Sequence, residues 1–198
     1  MFLRLLLDSS DQNLSVGIAK DNEIIYKTSF YAWQRQSEYM IPEIEKAIKE
    51  VGVSLKDINE VVLGIGPGSY TGIRIPLAIA KTLNCLFDTP IKAISSLRIM
   101  GTSSEKYVAI MNARSNRSYV GIYNNGIVEL KDQVVTNDEL SLIIEKYLKE
   151  GYILKGSLDY LRKDYVSTND ILDGLLSHSL ICDVVKNPIS LCPIYLKD

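Results

Sequence analysis

The segment Gly64-Ile65-Gly66-Pro67-Gly68-Ser69-Tyr70-Thr71-Gly72 constrains this chain more than any other. The apolar run Val61-Val62-Leu63 leads into it, and a largely apolar segment from Ile73 to Phe87 leads out. Glycine and proline between a strand pattern and a helix pattern specify a strand that ends in a tight turn with bare backbone and then launches a helix. A turn of this kind either cradles phosphate on free amides at the helix start or aims the helix at another protein.

Composition narrows the classes. A chain of 198 residues can bury a core as one domain or as two small lobes. The net charge of −2, with lysines and arginines scattered, argues against a protein that grips a nucleic-acid backbone by itself. No apolar run approaches the roughly 18 residues that suggest a membrane span. The start, Met1 to Asp8, reads as a buried first strand rather than a signal peptide. Cys85, Cys182 and Cys192 lack metal-type spacing and are expected to be reduced core thiols of a cytoplasmic protein.

Periodicity divides the chain in two. Strands are expected at 2–7, 14–20 and 23–29, with a tight turn at Asp21-Asn22. In the second of these, Leu14, Val16 and Ile18 share one face, and Ser15, Gly17 and Ala19 make the other small enough for close packing. An amphipathic helix over 37–51 follows, with Ser37 as N-cap and Gly52 as its stop. A strand at 61–65, the glycine turn, a helix over 73–87, a strand at 91–95 and a short helix from Ser95-Ser96 complete a first part, 1–103. The second part, 104–198, repeats the opening: strands at 107–112, 117–123 and 126–131, turning at Asn124-Asn125-Gly126, then a helix at 137–150 and a strand at 152–155. A short helix around 178–187 and an extended tail, expected to pack back on the first part, close the chain. Three meandering strands and a helix in each part imply a duplicated α/β architecture with a reduced second copy.

Several constellations carry chemistry on paper. The turn lacks the Lys-Ser/Thr of a Walker loop and the dinucleotide glycine spacing, yet Ser69, Thr71 and its amides could hold an anion, with Arg74 the cation nearest in sequence. Asp8-Ser9-Ser10 resembles the first phosphate or metal loop of actin-like and sugar-kinase folds, although the reading that those residues cap a turn is ahead. The matching place in the second part begins Asn112-Ala113-Arg114 and holds no carboxylate. His178 is the only histidine, which rules out a two-histidine metal site within one chain, and it reads as a partly buried helix residue. The 73–87 helix is apolar nearly all round, so it is buried by its own sheet and by something else: the second lobe or a partner. Pro76 within it implies a helix that begins near Ile75 or bends there.

Leu6-Leu7-Asp8-Ser9-Ser10, Gly66-Pro67-Gly68-Ser69-Tyr70-Thr71-Gly72-Ile73-Arg74, Ile94-Ser95-Ser96-Leu97, Ala113-Arg114 with Tyr119 to Tyr123, and the closing Pro193-Ile194-Tyr195-Leu196-Lys197 resemble the TsaB (YeaZ) family. The resemblance runs end to end and is densest over residues 1–123. It implies an actin-like (ASKHA, ribonuclease H-like) fold of two lobes. It also implies a non-catalytic subunit in the formation of threonylcarbamoyladenosine next to the anticodon of tRNAs reading A-starting codons. The expected partners are a TsaD-like catalytic subunit and a TsaE-like ATPase, with a homodimer when alone and tRNA met only through the complex. No cofactor is expected on this chain, ATP or ADP and metal belonging to the partners, and Asp8, Ser9 and Ser10 become vestigial. The interface is implied on the two helices, here Tyr39, Met40, Ile44, Ala47 and Ile48 with Ile73, Arg74, Leu77, Ala78 and Lys81. The chain departs from the family at Gln36-Ser37-Glu38, where the family has His-Ser-Glu, at Asn112, where an acidic residue is common, and at Pro76, where glycine is usual.

Overall fold

A computed structural model describes residues 1–161, 165 and 170–196. Lys197, the last residue of the closing motif, lies outside the described residues. The first sheet joins β1 (Leu3–Asp8), β2 (Asn13–Lys20), β3 (Glu23–Tyr31), β4 (Glu60–Gly64) and β5 (Ile91–Ile94) in the order β3-β2-β1-β4-β5. Strands β1, β2 and β3 pair antiparallel, whereas β4 and β5 extend the sheet parallel to β1. Helices α1 (Gln36–Val51) and α2 (Tyr70–Phe87) make the crossovers on one face. The second sheet repeats the plan with β6 (Lys106–Arg114), β7 (Arg117–Asn124), β8 (Ile127–Thr136) and, after α3 (Asn137–Lys149), β9 (Ile153–Gly156). Its order is β8-β7-β6-β9, with β9 parallel to β6. This is the actin-like arrangement in two copies.

The two copies part at the helix after β9. Helix α4 (Ile171–Ser179) leaves its own sheet and packs Leu172, Leu175 and Leu176 against Leu6, Ala19, Val62, Ile94 and Ile99 of the first lobe. Leu5, Leu7, Val61 and Leu63 meanwhile face α1 and α2. The first sheet is thus covered on both faces, which is why Leu5-Leu6-Leu7 of β1 and Val61-Val62-Leu63 of β4 are apolar without alternation. The small face of β2 is where α4 lies: a side chain at Gly17 would press on Leu172.

Four expectations need correction. Helix α1 starts at Gln36 with Arg35 in the N-cap position and no side-chain cap, so Ser37 is already helical. Helix α2 starts at Tyr70, capped by the Ser69 hydroxyl accepting from the Gly72 amide at 3.2 Å, and carries Pro76 inside it. The last helix spans Ile171–Ser179 rather than 178–187, capped by Asp170. Cys85 and Cys192 are exposed, on the outer side of α2 and along the tail, whereas Cys182 is half-buried against the first-lobe core.

Candidate functional site

The glycine turn and the Asp8-Ser9-Ser10 loop meet. The Ser69 amide donates to the Ser10 carbonyl at 2.7 Å, and a Cβ at Gly68 would overlap that same carbonyl oxygen. A Cβ at Gly72 would overlap the carbonyl oxygen of Ser9. These approaches are what the glycines are for. The Ser9 hydroxyl donates to the Gly72 carbonyl at 2.7 Å in a buried setting. In a regular helix that carbonyl would accept from residue 76, which is proline and has no amide. Ser9 therefore completes α2 from outside the helix. Ser9→Ala leaves the carbonyl unpaired and is expected to cost about 1–3 kcal/mol in urea denaturation. Pro76→Ala restores the amide, so the Ser9→Ala penalty should shrink in that background; an undiminished penalty would refute the account.

Asp8 sits beneath this contact. Its Oδ2 accepts from the amide and hydroxyl of Ser10 at 3.2 and 3.0 Å. Its Oδ1 has no hydrogen-bond partner among the described residues and lies against Gly64, where a Cβ would overlap it. Burial raises this carboxyl to about 7. The three loop residues are buried, and their side chains hydrogen-bond to each other and to the turn.

A cavity of about 470 Å³ opens between the lobes beside the turn. Ser69, Tyr70 and Thr71 line it on one side, Trp33 and Gln36 on another, and Asn112, Arg114 and Tyr119 across from them. Arg114 takes φ +64° at a bulge in β6 and sets its guanidinium 5.9 Å from the Trp33 ring centre. The Asn112 side chain accepts from the Arg114 amide at 2.8 Å, so it shapes its own turn. Asp11, the acid of this cavity, accepts from Ser157 Oγ at 3.2 Å across the lobes, and burial raises its carboxyl above the usual range. Ser95 and Tyr123 both donate to Asp132, a second tie between the lobes.

The two helices divide the expected interface residues sharply. Met40, Ile44, Ala47, Ile73 and Leu77 are buried in this chain's own core and cannot form an outer face. Tyr39 and Ile48 are half-buried against the same core. Arg74 donates from Nε to the Tyr195 hydroxyl at 2.8 Å, and Lys81 Nζ donates to the Ile189 carbonyl at 2.8 Å, so both hold the tail. Ala78 alone of that set on α2 is exposed with its side chain uncommitted. Around it lie Ile75, Ile79, Thr82 and Leu86, spaced three and four apart on one face, with Leu86 64% exposed. Ile41 on α1 is 48% exposed. A helix apolar nearly all round does not show in sequence which of its sides faces out; the three- and four-residue spacing of these residues is the one local signal.

His178 is fully buried rather than partly so, and lies away from the cavity. Arg98 Nε donates to its Nδ1 at 3.2 Å; Tyr107 donates its hydroxyl to the Arg98 carbonyl, leaving His178 Nε2–H to donate to the Tyr107 oxygen at 3.1 Å. Burial, reinforced by Arg98, lowers the imidazole to about 4. Among the described residues no group of three histidine, cysteine or acidic side chains is placed to hold a metal ion, and no helix is long and apolar enough to cross a membrane.

Comparison with known proteins follows the same lines. The family model described as TsaD: tRNA N6-adenosine threonylcarbamoyltransferase matches residues 31–166. The chain is 30% identical over 151 residues to the tRNA threonylcarbamoyladenosine biosynthesis protein TsaB of Bacillus subtilis, a match spanning 72% of this chain and 66% of that protein. It is 29% identical over 197 residues to the TsaB of Buchnera aphidicola subsp. Schizaphis graminum, spanning 88% and 93%. YeaZ from Pseudomonas aeruginosa shares the fold with a TM-score of 0.75 at 19% identity, over 99% of this chain and 100% of that one. With the end-to-end motif match and the actin-like double lobe, these place the chain in one group: it belongs to the TsaB (YeaZ) family.

Proposed function

We propose that this chain is a non-catalytic subunit of the machinery that forms N6-threonylcarbamoyladenosine next to the anticodon of tRNAs reading A-starting codons. It pairs through α2 with a TsaD-like catalytic subunit, works with a TsaE-like ATPase, and meets tRNA only inside that complex in the cytoplasm. ATP or ADP and metal belong to the partners, and a lone chain pairs with itself. The observation that carries the reading is the outward stripe of α2, a helix fixed by its turn, where Ala78, Thr82 and Leu86 are exposed and Ile75 and Ile79 are half-buried at its edge. Apolar side chains in water forgo about 1.5–3 kcal/mol each when large, so such a stripe favours a partner. The names of the relatives, tRNA threonylcarbamoyladenosine biosynthesis proteins, supply the pathway.

The test is co-purification with the TsaD homologue from the same genome, joined to calorimetry with ATP and magnesium. A stable pair, and no turnover by the isolated chain, is the expected result. The rival reading, an autonomous actin-like ATP-dependent kinase or hydrolase, has the interlobe cavity in its favour. Micromolar nucleotide binding with turnover by this chain alone would establish that rival.

A further inference from the structure

The tail after α4 does more than end the chain. It crosses to the α2 side of the first sheet, where the Val185 amide donates to the Ile91 carbonyl at 2.8 Å. Val185 and Leu191 pack on the first-lobe core. Lys81 holds the Ile189 carbonyl, and the Ile194 amide donates to the Ile65 carbonyl at 2.8 Å. The Ile194 carbonyl then presses so closely on Gly66 that no Cβ would fit there. At the end, the Tyr195 ring stacks on Tyr70 at 5.4 Å, while the Arg74 guanidinium lies 3.8 Å from the Tyr70 ring centre and bonds the Tyr195 hydroxyl.

The chain therefore grips its own first lobe from both sides, with α4 behind the sheet and the tail along α2. The glycine turn is closed inside by Ser9 and Ser10 and outside by Ile194 and Tyr195. We propose that residues 185–196 are a strap, and that Tyr195, clasped by Tyr70 and Arg74, is a positioning residue that holds the first turns of α2 ready for the partner subunit. This rests on the reading above that α2 meets that partner. A helix already held in its bound position loses less freedom on association than one that must be ordered first. With the clasp open, Arg74 loses its acceptor and the Ile65 carbonyl its donor, and the turn frays on its outer side.

The experiment uses the full chain with Tyr195→Ala and Tyr195→Phe. Tyr195 is 42% exposed, so neither change threatens the core. Hydrogen exchange of the free chain is read over residues 66–74, and affinity for the TsaD homologue from the same genome by calorimetry. Tyr195→Ala should speed exchange there about tenfold and weaken binding about tenfold. Tyr195→Phe keeps the stacking, loses the acceptor for Arg74 and should fall between. A Tyr195→Ala chain that binds as tightly as wild type, or exchanges no faster, overturns the strap while leaving the subunit reading intact. A wild-type chain that does not bind the homologue overturns the subunit reading, and the inference with it.

Discussion

Ala78→Glu is expected to abolish pairing with the TsaD-like partner while leaving the fold intact. In the free chain Ala78 faces water near the middle of α2, and glutamate is a good helix former, so folding should change by only a few tenths of a kcal/mol. In the complex the new carboxylate would lie among Ile75, Ile79 and Leu86 and be stripped of water. Arg74 and Lys81, four residues before it and three after it on α2, are the charges within reach, and both already hold the tail by hydrogen bonds, so pairing with either competes with those contacts. An uncompensated buried charge costs about 3–5 kcal/mol, which raises Kd by two to nearly four powers of ten. Truncating Leu86 to alanine would remove at most about 3 kcal/mol and is the smaller effect. Calorimetric affinity, with a circular-dichroism melt as the folding control, decides the matter. A folded Ala78→Glu chain that still binds within a few-fold of wild type would show that the partner sits elsewhere.

Much of the frame is written in local sequence. The apolar runs Leu5-Leu6-Leu7 and Val61-Val62-Leu63, the small face of β2, the Asn125-Gly126 turn and the Gly52 stop each state their geometry within a few residues. The glycine turn was legible as a helix launcher for the same reason. What local sequence could not state is completed at long range. Pro76 looks like a break in α2 because its remedy, the Ser9 hydroxyl, stands 63 residues away in sequence from the Gly72 carbonyl it serves. Gly174 and Ser177 hide the true start of α4, so local sequence places its helix one to two turns too late, around 178–187; Gly174 is there because a Cβ would strike the Ile99 carbonyl, and His178 because Tyr107 and Arg98 receive it. The interface list failed differently. Met40, Ile44, Ala47, Ile73 and Leu77 are apolar at helical spacing whether they face a sheet or a partner, and only the assembled layers show that they face the sheet. The same layers put Cys85 and Cys192 outside.

Removing the Asp8 carboxylate should raise stability at alkaline pH. The folded state holds this carboxyl at about 7, against 3.8 when it is free, chiefly because burial disfavours the charge. Between those values the folded chain binds a proton that the unfolded chain has released. Stability from this group is therefore full below about pH 4 and is lost as pH rises through 7, by about 4 kcal/mol in all. Asp11 and Asp132 are also raised by burial and tilt the profile the same way. His178 tilts it oppositely. Lowered from 6.5 to about 4, its contribution is full above pH 6.5 and is lost on acidification through 4, by about 3 kcal/mol. Wild type alone mixes these slopes, so the decisive quantity is each variant minus wild type in urea denaturation from pH 4 to 9. Asp8→Asn keeps an acceptor for Ser10 and cannot ionise; its stability relative to wild type should climb across pH 4 to 7 and level off above. His178→Gln should gain on wild type in the reverse direction, as pH falls from 6.5 to 4. A pH-independent difference between Asp8→Asn and wild type would mean that the orphaned oxygen at Gly64 finds a partner in solution, and that the loop is less sealed than its contacts with the glycine turn require.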